Sequence, residues 1–223
     1  MSKTSIQNYK QLIQSLPVKN QSAHIKKKSW ARISYKGKAK IEQVIFKKDD
    51  IEISRKDILE ETNADFKIIK TLMWGYPTGG RNNNIQKSLE YFILLQKILS
   101  KAENKNLSLN EANSLLNELD NIKGLGPSTW SKLLYFFNIS FCNQKCQIFD
   151  LKIVDSLNKK QFCEFEEYNW KQDKQNYFKY ISLLSDLANK LDASPDQIEN
   201  FLFFYNLNYK FWKVQQPCQQ YYI

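Results

Sequence analysis

Apolar residues recur along this chain mostly at helical rather than alternating spacing. Near the start they fall at Ile6, Tyr9, Leu12, Ile13 and Leu16, and the series stops at Pro17, which cannot continue a helix. A basic, irregular stretch follows, in which 32–35 and 41–46, on either side of Gly37, read as short strands. Ser54-Arg55-Lys56-Asp57 places a hydroxyl and a carboxylate as a capping pair ahead of Ile58 and Leu59. A helix over 65–74 breaks at Gly75-Tyr76-Pro77-Thr78-Gly79-Gly80, and a longer one over 82–100 opens on three asparagines. Ser108-Leu109-Asn110-Glu111 is a second capping box, starting a helix to about Asp120 with Leu115, Leu116 and Leu119 on one side. Further on, Tyr180, Leu183, Leu184 and Leu187 mark a helix over 177–191, and Ser194-Pro195-Asp196-Gln197 caps a last one over 195–205. The fold class that follows is mostly α, with a few short N-terminal strands.

One stretch interrupts this pattern: Ile122-Lys123-Gly124-Leu125-Gly126-Pro127-Ser128-Thr129-Trp130-Ser131-Lys132-Leu133-Leu134. Two glycines one residue apart, a proline suited to a first helical turn and then an apolar run predict a hairpin between two helices, the second over 127–137. Such a hairpin turns backbone N–H groups outward at a helix N-terminus, where glycines let an anion approach, so its natural ligand is a phosphate. A Gly-x-Gly pair by itself is often just a turn. Downstream, Gln147-Ile148-Phe149-Asp150 is a strand-like run that delivers an aspartate to the start of a helix through Leu157. Asp is favoured at any N-cap, so Asp150 alone reads as a cap.

Charge adds a partner. Thirty-three Lys and Arg against 23 Asp and Glu give a formal net charge of +10. From His24 to Lys48 the cations Lys26, Lys27, Lys28, Arg32, Lys36, Lys38, Lys40, Lys47 and Lys48 face a single acid, Glu42. A polyanion partner is one reading, and a lysine-rich solvated surface the other. The sequence holds no run of eighteen apolar residues, and Met1-Ser2-Lys3-Thr4 leads into polar residues rather than a signal-peptide core, so a cytoplasmic protein with no membrane partner is expected. Cys142, Cys146, Cys163 and Cys218 lack the tight four-cysteine spacing of an iron–sulfur cluster, and His24 is too remote to complete a zinc site with Cys142 and Cys146. Neither metal nor cofactor is expected, and the cysteines read as free thiols.

The glycine hairpin followed by Asp150 resembles the helix-hairpin-helix DNA glycosylases over about 122–157. Asn82-Asn83-Asn84-Ile85 resembles the triple-asparagine segment of the 8-oxoguanine DNA glycosylases in that superfamily. The resemblance implies a fold of two helical lobes around a cleft within one unit, 1–223. One lobe would be 1–80 with 175–223, and the other 81–174, holding the hairpin at 122–134. It implies excision of an oxidised purine from duplex DNA by base flipping, with Asp150 stabilising the positive charge that builds on the sugar. Gly124, Gly126 and Ser128 would bind a phosphate, Asn82 would enter the space left by the flipped base, and Lys87 would meet the orphaned cytosine. Arg81 and Asn83 would join Asn82 in the groove.

The chain departs from that family in two places. The connection over 138–147 is longer than usual, and Ser128 stands where bifunctional members carry a nucleophilic lysine. Lys132 lies one helical turn later on the same face, and a long helical side chain leans back towards its own N-terminus. Among apolar neighbours a lysine's charged form is disfavoured by desolvation, as a Schiff-base nucleophile requires, which makes Lys132 a candidate for the covalent, AP-lyase step. A surface lysine near phosphates is the other reading. Trp74 and Trp212 are candidates to sandwich the base, although such aromatics are more often core. The expected partner is double-stranded DNA with a damaged or modified base, bound by a monomeric, nucleoid-associated enzyme. Two rivals remain: the same chemistry on another modified base, such as those of phage DNA in defence, and a non-catalytic DNA-binding module.

Overall fold

The computed structural model describes residues 4–80 and 82–214, with side chains of the last helix described through Tyr205 and at Leu207. A 3-10 turn at Ile6–Tyr9, capped by Ser5, runs into α1 (Lys10–Ser15). Next come β1 (Ser22–Lys26), α2 (Lys27–Trp30), α3 (Lys38–Ile45), β2 (Asp50–Ser54) and α4 (Arg55–Leu59). The middle of the chain holds α5 (Ala64–Gly75), α6 (Asn84–Leu89), α7 (Phe92–Ala102), β3 (Asn106–Leu107) and α8 (Leu109–Asp120). After the glycine hairpin follow α9 (Pro127–Phe136), β4 (Ser140–Phe141), β5 (Gln144–Lys145), α10 (Leu151–Asn158), α11 (Lys174–Leu191) and α12 (Pro195–Val214). The capping boxes at Ser54 with Asp57 and at Ser108 with Glu111 are both formed, so these helices start where their sequences put them.

Two expectations are corrected, and the long connection is explained. The strands are not at 32–35 and 41–46 but flank that region. β1 and β2 pair antiparallel with Ser22 opposite Ser54 and Lys26 opposite Asp50, while 41–45 lies in α3. Ile41 and Ile45, four apart, turn one side of a helix inward, whereas each true strand buries a single residue, Ile25 or Ile53, too little to stand out as alternation. The helix expected over 82–100 is two. Asn82 and Asn83 are left-handed at φ 55°, so α6 begins only at Asn84, and the Tyr91 N–H closes back to Ser88, breaking the ladder before α7. The connection over 138–147 contains the β4–β5 hairpin, turned by Cys142 and Asn143 in left-handed conformations, with β3 parallel to β4 on its other side.

α9 is buried from Thr129 to Phe136, all round rather than on one face, with α5 and α4 packed against it. The two ends of the chain meet. The Gln14 amide donates to the carbonyls of Leu191 and Asp192, Gln197 donates back to Gln14, and the Tyr9 ring packs on Phe162 and Phe201. Beneath them lies a buried ion pair, Arg55 Nη2 to Glu199 Oε2 at 2.7 Å, with both side chains 0% exposed. Arg55 sits between the Trp74 and Tyr135 rings, 5.2 Å from each, and donates from Nε to Gln21.

Burial raises the Glu199 carboxyl to about 7 from an ordinary 4.5, even though Arg55 opposes the shift. A carboxyl that holds its proton more tightly when folded favours the folded state most below pH 4.5, and loses that contribution as pH rises through about 7. Glu199→Gln cannot titrate and strands the Arg55 charge. Urea denaturation from about pH 4 to about pH 8 should show this share of the slope removed, and stability lowered by roughly 3–5 kcal/mol at the upper end.

Candidate active site

Between α8 and α9 the apolar residues of the hairpin, Ile122 and Leu125, point inward and its glycines sit at the surface side. Gly124 has φ +87°, and a Cβ there would lie 2.3 Å from the Asn84 carbonyl oxygen and 3.0 Å from the Lys87 Cβ. Glycine at this position therefore serves a close approach: it lets the hairpin seat against the first turn of α6. Gly126, the N-cap of α9, is exposed, and a Cβ on it would meet nothing within 4 Å. Among the described residues, no acceptor takes the N–H groups of Gly124, Gly126 or Ser128, and Pro127 has none to offer. The Trp130 indole donates to Asp120 at 2.9 Å and ties α9 back to the end of α8.

The run ahead of Asp150 is buried and extended but pairs with no strand. Side chains satisfy its backbone instead: Tyr177 donates to the Gln147 carbonyl at 3.1 Å, Tyr180 to Ile148 at 3.0 Å and Gln172 to Phe149 at 2.8 Å. The Phe149 N–H donates to Ser131 Oγ at 3.0 Å. Burial pushes the Tyr177 and Tyr180 hydroxyls far above their ordinary range, so both stay protonated and donate. Asp150 is thereby delivered to the N-cap of α10 in a set orientation. Its Oδ1 accepts from the N–H groups of Lys152 and Ile153 at 3.0 and 3.2 Å, and its Oδ2 lies 3.5 Å from Lys132 Nζ. The same carboxylate is cap and counter-ion at once.

Lys132 leans back along α9 as its helical position requires. It is 4% exposed, and its ammonium donates to the Ser128 carbonyl at 2.8 Å and to Ser128 Oγ at 3.1 Å. The Tyr76 ring lies 5.6 Å from it, held by a 2.7 Å hydrogen bond between the Tyr76 hydroxyl and Thr129 Oγ1. Gly75 closes the far side. A Cβ there would sit 2.9 Å from Lys132 Cδ and 3.2 Å from Cε. The result is a buried amine beside a carboxylate, a hydroxyl and an aromatic face, able to attack an electrophilic carbon once its proton is shed.

The structure brings Lys132, Asp150 and Ser128 into contact, and it seats the asparagine turn against the hairpin. Asn82 and Asn83 are exposed, and Lys87 is half-buried with its Cβ at Gly124. Arg81 lies outside the described residues. Trp74 is 9% exposed, with its indole N–H donating to Gln21, Phe136 edge-on and Arg55 over the ring, so its faces are occupied by the protein. The backbone of Trp212 continues α12, and its side chain lies outside the described residues. Gly75, Tyr76, Ser131, Tyr177 and Tyr180 were not singled out in the sequence. Gly75 reads there as a helix end, and the tyrosines as ordinary core. Cys142 is exposed in the β4–β5 turn and Cys146 is buried just after β5, and Cys218 lies outside the described residues. No helix among the described residues is long and apolar enough to cross a membrane.

One family model, described as "Putative 8-oxoguanine DNA glycosylase OGG-like protein", matches residues 16–203. No curated protein and no solved structure gives a significant match.

Gly75→Ala tests the cradle. The clash falls on flexible methylenes, so the protein should stay folded with its thermal midpoint lowered by no more than about 5 °C, while Lys132 Nζ moves away from Asp150. In NMR, the Lys132 ¹⁵Nζ chemical shift should then no longer change when Asp150 is replaced by Asn, as it does in the parent. An unchanged response would mean that the glycine is not what gives the lysine its place.

Proposed function

Because the chain belongs to the 8-oxoguanine DNA glycosylase OGG-like family, we propose that it excises an oxidised purine from duplex DNA and that Lys132 and Asp150 carry the reaction. The observation that supports this reading best is the buried approach of Lys132 Nζ to Asp150 Oδ2 at 3.5 Å, one helical turn beyond the outward N–H groups of the hairpin.

In this reading, the N–H groups of Gly124, Gly126 and Ser128 hold a phosphate beside the lesion and position the strand without reading its sequence. Flipping takes the base out of the stack, at a cost of a few kcal/mol that is least for a damaged base. Asn82 fills the vacated space and Lys87 meets the orphaned base, with Arg81 and Asn83 beside Asn82 in sequence. The uncharged Lys132 amine attacks C1′, the N-glycosidic bond breaks, and the base leaves with the electron pair and takes up a proton. Opening of the sugar ring then yields an imine between C1′ and Nζ, from which strand cleavage follows. Asp150 takes the proton the amine sheds, passes it on to the departing base, and as a carboxylate again faces the positive charge on the sugar. Ser128, where a nucleophilic lysine would be expected, acts as an acceptor that steadies the displaced amine.

Borohydride trapping on a duplex with 8-oxoguanine opposite cytosine tests the assignment. The parent should give a covalent adduct and Lys132→Ala none. Asp150→Asn should slow base release on the order of 100-fold or more; Asn keeps the helix cap, and the stability lost, up to about 3–5 kcal/mol, comes from leaving the Lys132 charge without its carboxylate. Free base released without an adduct would move the nucleophile to water. Neither adduct nor released base, across a panel of modified bases, would leave a DNA-binding module.

A further inference from the structure

The excursion between β1 and β2, residues 27–49, carries Lys27, Lys28, Arg32, Lys36, Lys38, Lys40, Lys47 and Lys48 against Glu42 and Asp49. Lys38 is half-buried and spends its ammonium on the Ala31 carbonyl at 2.7 Å and its neighbours, a structural use. The other seven cations are exposed, and none pairs with a carboxylate among the described residues. A surface that merely solvates needs no fixed position, but this excursion has one.

Trp30 and Ile33 are 0% and 2% exposed, and with Ile41 and Phe46 they anchor the excursion in the core. Its polar contacts go to one place, the segment from Tyr76 to Gln86. The Trp30 indole donates to the Tyr76 carbonyl at 3.2 Å. Ser34 and Gln86 exchange two hydrogen bonds, at 2.7 and 3.1 Å, and Arg32 reaches the Gly80 carbonyl at 3.4 Å. Gly79, at φ +83°, admits the Ser29 carbonyl, which would stand 2.8 Å from a Cβ. These residues flank the asparagine turn, and α6, which follows the turn, touches the hairpin at Gly124 through Asn84 and Lys87. The basic excursion therefore meets α6 at Gln86, and α6 in turn meets the hairpin at Gly124 through Asn84 and Lys87.

We propose that this excursion is a second DNA-binding surface, gripping the phosphate backbone of the duplex flank beside the site where the base is flipped. It rests on the reading of the chain as a duplex-acting glycosylase and extends its footprint past the lesion. Held rigidly against the loop that enters the groove, Lys27, Lys28, Arg32, Lys36 and Lys40 would meet phosphates at set spacing and release counterions in proportion to the number engaged. The excursion would also keep the asparagine turn in place while the duplex is strained.

The test compares the parent with K27Q/K28Q/K36Q/K40Q and with a control, K10Q/K19Q/K97Q/K190Q, that removes the same charge from other exposed lysines. Fluorescence anisotropy over a range of KCl is read on a long undamaged duplex, on the same duplex carrying 8-oxoguanine, and on an RNA duplex. Removing the excursion lysines should lower the slope of log K against log salt by about 2–4 and weaken DNA binding at least about tenfold near 0.1 M salt, with the control within about threefold of the parent. Single-turnover base release at saturating protein should stay as in the parent. An unchanged slope, an equal loss in the control, or tighter binding to the RNA duplex would each overturn the proposal. Undamaged DNA reports on this surface even if the parent excises no base, so failure here is distinct from failure of the assigned chemistry.

Discussion

A positive charge kept inside a protein needs acceptors on the sides where water would be, and the placement of Lys132 follows from that requirement. One acceptor is its own helix, through the Ser128 carbonyl and hydroxyl. A second is the Asp150 carboxylate, and the Tyr76 ring presents a π face. Each of these comes from a different part of the chain, so the amine acquires its surroundings only when α5, α9 and the start of α10 are packed together. The glycine at 75 leaves room for the lysine's methylenes, which a Cβ there would push aside.

Asp150 obeys a similar constraint from the other direction. A buried extended run with no partner strand would leave its amides and carbonyls unsatisfied, so Ser131, Gln172, Tyr177 and Tyr180 take them up. Two of these donors are on α11 and one acceptor is on α9, the helix that also carries Lys132. Lys132 and Asp150 are thus both referenced to one helix. The second buried ion pair, Arg55 with Glu199, joins the start of α4 to α12 and holds the first third of the chain against the last helix. Buried pairs of this kind contribute little net stability, since desolvation offsets attraction, but removing one partner is costly. Their effect is to make one arrangement of the helices much better than its neighbours.

The outward face of the molecule is organised by backbone close approaches. Gly124 brings the hairpin onto α6, and Gly79 brings the loop before it onto the end of α2. Both have positive φ, which glycine adopts without strain. Asn82 and Asn83 adopt left-handed conformations at the turn between, and asparagine tolerates these better than other side chains do. The elements on either side of that turn are each fixed by contacts, α6 by the hairpin at Gly124 and by Ser34 at Gln86, and the loop before the turn by the basic excursion at Gly79.

Local rules in the sequence were sufficient for much of this. The capping boxes at Ser54 and Ser108, the stop at Pro17, the Pro127 start of α9 and the cap at Asp150 depend only on residues within one turn of each other, and all lie where their sequences indicate. The glycine hairpin and the lean of Lys132 towards Ser128 were legible for the same reason, since both are consequences of helix geometry. The strands were not legible, because β1 and β2 bury one residue each and are defined by pairing across the excursion between them. Nor was the break at Tyr91, where a continuous apolar pattern divides so that both halves can reach the core. The role of Gly75, the tyrosines behind Asp150 and the Arg55–Glu199 pair were decided by tertiary structure alone. Their partners lie far along the chain, and no local periodicity records which distant residue a side chain will meet.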